Sequence, residues 1–164
     1  MKIFRSLLIA VAALGSAGKA YAGTATATMN VTARVTNSCT ISAAALAFPD
    51  YDPAAALADT GTSTLSVTCT LGSTATISLD QGAQPASGST AAAPLRQMAS
   101  GTDRLGYSIT QDAAHLVPWG GGLASESYFG LGVTTSVTVY GTIAAKQVVR
   151  AGNFADVVTA TIAF

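Results

Sequence analysis

Residues 24–35 read TATATMNVTARV. Ala25, Ala27, Met29, Val31, Ala33 and Val35 fall on one parity, and Thr24, Thr26, Thr28, Asn30, Thr32 and Arg34 on the other. That is the period of a β-strand with one apolar face. Twelve residues free of Gly, Pro or any turn signal make a strand about 40 Å long, roughly twice the usual length. Such a length points to service in more than one sheet or more than one molecule. The other reading is that residues 24–35 form the first strand of a complete sandwich of their own.

Toward the C-terminus the same alternation returns in shorter pieces. Cys39 and Ile41 share a parity, as do Leu65, Val67, Cys69 and Leu71 in the stretch TLSVTCTL. Further inward-facing sets are Ile77 with Leu79, Leu105 with Tyr107 and Ile109, and Val133 with Val137, Val139 and Ile143. Phe154, Val158, Ala160, Ile162 and Phe164 close the series. The pattern predicts six or seven short strands and no helix, and enrichment in Thr and Val supports strands. Phe48 to Pro53, Gly82 to Pro94 and Gly120-Gly121-Gly122 are turn or loop segments, with room for one helical turn over Ala54 to Ala58. The implied architecture is all-β, a two-sheet antiparallel sandwich of immunoglobulin-like kind.

Toward the N-terminus the order is different. Met1, Lys2 and Arg5 precede an apolar stretch from Leu7 to Leu14, and Ala20-Tyr21-Ala22 follows, which is the order of a secretory signal peptide. Its apolar core is too short to span a bilayer, so no membrane insertion is expected. Cleavage after Ala22 leaves 142 of the 164 residues, enough for one domain with a real core. Three of the eight basic residues leave with the signal, so five basic groups face eight acidic ones. A net charge of −3 argues against nucleic acid as a partner.

The two cysteines, Cys39 and Cys69, both survive processing into an oxidising compartment, where a disulfide is the default reading. Closing a loop of that length contributes about 3 to 4 kcal/mol. A single histidine beside two thiols makes a metal site improbable, and no cofactor is expected. His115 invites pairing with Ser108 or Asp112, but no nucleophile elbow surrounds any serine, and a loop histidine is the favoured reading. Asp50, Asp52 and Asp59 lack the dense oxygen-ligand spacing of a calcium loop and read as solvated turn residues. Trp119 offers either a sugar-stacking platform or, as favoured here, a packing anchor. Asn30-Val31-Thr32 matches a glycosylation acceptor, read as a chance match. Residues 82–94 lack phosphate-loop spacing.

Several of these local signatures together resemble one family, the spore coat protein U domain, which includes pilin subunits of archaic, Csu-type chaperone-usher pili. The matching pieces are the alternating leader before Asn37-Ser38-Cys39, the Phe48 to Pro53 segment and the strand ending in Cys69. Leu105-Gly106-Tyr107 with Asp112-Ala113, Pro118-Trp119-Gly120, Val139-Tyr140-Gly141 and Gly152-Asn153-Phe154-Ala155-Asp156 complete the set. Arg96-Gln97-Met98, where a second basic residue is common, and the acid-poor loop after Trp119 depart from the pattern. The resemblance implies an incomplete immunoglobulin-like sandwich completed by a donor strand. A periplasmic chaperone supplies that strand first, and the N-terminal extension of another copy or a related pilin supplies it later, with an outer-membrane usher in the route.

Carried onto this chain, residues 1–22 are the signal, 23–36 the donor-strand extension and 37–164 the pilin-like sandwich. Ala25, Ala27, Met29, Val31, Ala33 and Val35 become the candidate pocket fillers. The expected function is a non-enzymatic structural subunit of a fimbrium, secreted through the periplasm to the cell surface and serving adhesion and biofilm formation. Two rivals remain. One is a spore or cell-coat protein using the same exchange, and the other is a self-complete carbohydrate-binding module acting through Trp119.

Overall fold

A computed structural model of the chain describes Lys19 and residues 21–164. The expected signal features from Met1 to Leu14, and Ala20, lie outside the described residues. The body contains eight strands: β1 (Cys39–Ala43), β2 (Asp59–Cys69), β3 (Thr74–Leu79), β4 (Arg96–Ser100), β5 (Asp103–Thr110), β6 (Glu126–Phe129), β7 (Thr135–Ile143) and β8 (Ala160–Ala163). One 3-10 turn spans Gly122–Ala124. No helix among the described residues is long and apolar enough to cross a membrane.

Every strand pairing is antiparallel. A five-stranded sheet runs β1-β2-β7-β5-β4, and a three-stranded sheet runs β6-β3-β8. Alternation explains the core directly, because residues of one parity share one face of a strand. Leu65, Val67 and Cys69 of β2 meet Ile77 and Leu79 of β3, Ile109 of β5 and Val139 of β7, all buried. Trp119 is fully buried among them, and its indole N–H donates to the carbonyl of Ile77 at 3.0 Å. The expected packing anchor is therefore correct, and no face of Trp119 is open to stack a sugar.

Three expectations of inward-facing residues need correction. Leu71, Val133 and Phe164 are 72%, 59% and 58% exposed. Strand β2 stops at Cys69 because Thr70 to Ser73 turn back, and a turn breaks the period that made Leu71 look like a core residue. The same break places Val133 ahead of β7 and Phe164 beyond β8. Ala54 to Ala58 form no helical turn; instead Asp52 organises a tight turn, with Oδ1 accepting from the Ala54 N–H at 2.9 Å in the manner typical of aspartate.

Candidate functional site

Strand β1 is one outer strand of the larger sheet and β8 one outer strand of the smaller, so each leaves one side of its ladder open. An apolar groove of about 430 Å³ is lined by both Ala43, where β1 ends, and Ala160, where β8 begins. Its floor is the inner face of the larger sheet: Leu65, Val139, Ile109, Tyr107 and Met98. Leu79 adds a wall from the smaller sheet, and the flanks are the segments Ala43–Phe48 and Phe154–Val158.

The flanks carry the decisive chemistry. The Ala44 N–H still donates to the Thr64 carbonyl at 2.9 Å. Beyond it, among the described residues, the backbone groups of residues 45–48 and 156–158 take no hydrogen-bond partner. Unpaired amides and carbonyls on both sides of an apolar slot form a template for an added strand.

The first flank is held by a pair of glycines. Gly61 and Gly141 face each other in the β2–β7 register on the parity of the core. A Cβ on Gly141 would lie 2.7 Å from Phe48 and 2.8 Å from Leu46, and one on Gly61 would lie 2.7 Å from the Ala47 carbonyl. The missing side chains are the space into which this flank settles. Phe48 then meets Tyr107 edge-on, with ring centroids 6.1 Å apart.

The second flank is held by part-buried polar groups. Asp156 accepts from the Tyr107 hydroxyl at 2.6 Å and from the Ala83 N–H at 2.8 Å. Ala155 exchanges backbone hydrogen bonds with Ala99 of β4. Arg96 is buried and donates to the carbonyls of Leu79, Asp80 and Trp119, which satisfies a guanidinium that would otherwise be costly to bury. Burial, then the hydrogen bond to Asp156, pushes the Tyr107 hydroxyl far above its usual range, so it stays a proton donor. Burial raises Asp80, but the Thr159 and Gly82 N–H groups and Arg96 hold its carboxyl below the ordinary value.

The other candidate residues serve local roles. Cys39 and Cys69 are joined in a disulfide and lie opposite each other in the β1–β2 register. His115 Nδ1 sits 2.8 Å from the Thr142 hydroxyl. Asp112 is used by its own turn, accepting from the Leu116 and Val117 N–H groups. Ala25, Ala27, Met29, Val31, Ala33 and Val35 form no strand here, and every residue from Tyr21 to Ser38 is exposed. The incomplete sandwich expected from the resemblance implies such a groove, and alternation marks Leu65, Leu79, Tyr107, Ile109, Val139, Val158 and Ala160 of its lining, but not the flank from Ala43 to Leu46 or Met98.

Comparison with known proteins settles the family. The Spore Coat Protein U domain matches residues 25–161. This chain belongs to that family. "Protein U" of Myxococcus xanthus is 45% identical to this Spore Coat Protein U domain chain over 167 residues, spanning 94% of it and 93% of the relative. The fold of the present chain is similar to that of a chain in the crystal structure of a CsuC-CsuE chaperone-tip adhesion subunit pre-assembly complex from archaic chaperone-usher Csu pili of Acinetobacter baumannii. There the TM-score is 0.58 at 24% identity, covering 79% of this chain and 40% of that one.

Proposed function

We propose that this chain is a structural subunit of a surface fibre, built by donor-strand exchange along the chaperone-usher route and serving adhesion and biofilm formation. One observation carries the reading. The same chain holds an apolar groove with unpaired backbone on both flanks and an alternating segment, residues 24–35, whose side chains lie in the open. Each is half of a strand-addition interface. Placed in the groove of another copy, the leader ladders against both flanks, and alternate side chains from Ala25 to Val35 enter it. Burial contributes about 25 cal/mol per Å² of apolar surface, so a dozen residues hold such a contact for long times.

Before assembly the groove needs another occupant, and a periplasmic chaperone fills that role, with an usher at the outer membrane catalysing the exchange. The likeness to a subunit from a chaperone complex supports this order. The leader's position ahead of Cys39, immediately after the expected cleavage point, supports export to the periplasm and surface. His115 and Asp112 are engaged in loop hydrogen bonds, so the role assigned is structural, not enzymatic. A second reading, the same exchange used to deposit a coat layer, is favoured by the match of residues 25–161 to the Spore Coat Protein U domain.

Electron microscopy of periplasmic and surface fractions, with denaturing gels of unheated samples, tests the proposal. The full chain should give ladders resistant to detergent until heated. Removal of residues 24–35 should abolish them while a folded, chaperone-bound body remains. Ladders that persist without the leader would refute it, and thin fibres against amorphous layers separate the two readings.

A further inference from the structure

One end of the sandwich is uncharged and apolar where a loop tip in water would ordinarily be polar. The turn Thr70 to Ser73 is zipped to residues 130–132: the Gly72 N–H donates to the Gly130 carbonyl at 2.9 Å, and the Gly132 N–H to the Cys69 carbonyl at 3.1 Å. A Cβ on Gly130 would lie 2.3 Å from the Thr70 carbonyl, so the two loops touch closely. They present Leu71, Leu131 and Val133, exposed by 72%, 51% and 59%. No charged residue occurs between Asp59 and Asp80, nor between Glu126 and Lys146. Adjacent apolar side chains held in fixed loops mark an interaction surface more often than scattered exposed residues do.

The leader identifies what covers this pole. Ser38 is fastened to it, with its N–H donating to the Thr70 hydroxyl at 3.0 Å and its carbonyl accepting from the Thr70 N–H at 2.9 Å. Only Thr36 and Asn37 separate Ser38 from Val35, and three peptide steps reach at most about 11 Å. If Val35 occupies another copy's groove, Leu71, next in sequence to Thr70, is brought against the rim of that same copy.

We infer that the Leu71, Leu131 and Val133 pole is a second subunit interface, docking on the body of the copy that accepts the leader. The inference rests on the donor-strand reading above. It makes the joint between successive copies a seated contact in place of a free two-residue hinge, and so sets the stiffness and length of the fibre.

Photo-crosslinking of assembled polymers tests it, with benzoyl-phenylalanine placed at position 131 in one preparation and at position 29 in another. Cross-links from both positions to a second copy are expected. Copy-to-copy cross-links from position 29 alone would overturn the pole interface and leave strand exchange standing. Silence at position 29 would overturn strand exchange itself. Cross-links from position 131 only to some other protein would overturn the choice of occupant. Leu71→Asp with Leu131→Asp, both at exposed sites, should preserve the heat-sensitive ladder but shorten the fibres several-fold in micrographs. Unchanged fibre length would count against the interface.

Discussion

Two stretches of this chain carry the same alternating pattern and meet opposite fates. In β2, Leu65, Val67 and Cys69 are exposed by 3%, 0% and 2%, whereas in the leader Met29, Val31 and Val35 are exposed by 85%, 86% and 83%. Period two states that one face of a segment is apolar; it does not state which sheet will cover that face. β2 finds β1 and β7 on either side. The leader forms no strand, and under the proposed function the slot suited to it belongs to another copy.

The strongest test of that contrast sets Val67→Asp beside Val31→Asp. A charge buried without a partner at Val67 should cost upward of about 4 kcal/mol and leave no folded body. The same substitution at Val31 should keep the body's melting temperature within a degree or so while abolishing polymers, as thermal melts and unheated gels would show. Equal destabilisation by both would mean that the leader belongs to its own sandwich.

Next in size is the cross-link that separates the two stretches. Replacing Cys39 and Cys69 together by Ala should lower stability by about 3 kcal/mol, measured by urea unfolding, because β1 loses its tie to β2. Donor function should persist in whatever fraction stays folded.

Gly141→Ala probes the acceptor side alone. Its new methyl would crowd Phe48 and Leu46 at 2.7 and 2.8 Å, costing about 1 to 3 kcal/mol and displacing one flank of the groove. Mixed assembly should show a copy that donates its leader normally but accepts poorly.

The smallest effect concerns Glu126 of β6, part-buried with no hydrogen bond to Oε2 among the described residues. Burial raises its carboxyl pKa, so ionisation opposes folding and the penalty grows as pH rises from the ordinary value through the raised one. Glu126→Gln should therefore raise the melting temperature slightly at neutral pH and not below about pH 4. Asp80 has the opposite sign. Its lowered pKa supplies stability above the ordinary carboxylate range, lost as pH falls through the depressed value, so Asp80→Asn should destabilise at neutral pH and converge with the parent chain in acid.

Much of the fold was legible because burial of one face leaves a two-residue period. Apart from Leu71 and Val133, the inward sets of β2, β3, β5 and β7 are correctly placed from Leu65 to Ile143, and the cysteine pair follows from export. Strands β4 and β6 escaped because Arg96-Gln97-Met98 and Glu126-Ser127-Tyr128 put polar groups on the inward parity. Arg96 is tolerated there because three carbonyls distant in sequence, from Leu79 at the end of β3, Asp80 and Trp119, converge on it. Leu71 and Val133 misled for the reverse reason, since a turn ends the strand while the apolar residues continue.

By itself the sequence determined the all-β class, the positions of most inward-facing residues and the alternation that puts apolar residues of 24–35 on one parity. Those are local properties, set by steric alternation and side-chain hydrophobicity along a few consecutive residues. Only the tertiary structure decided that residues 43–48 and 154–158 come to flank one groove, with the backbone groups of 45–48 and 156–158 unpaired. That vacancy depends on chain segments about a hundred residues apart, on two facing glycines and on Asp156 reaching Tyr107. No local period records what strands do not meet.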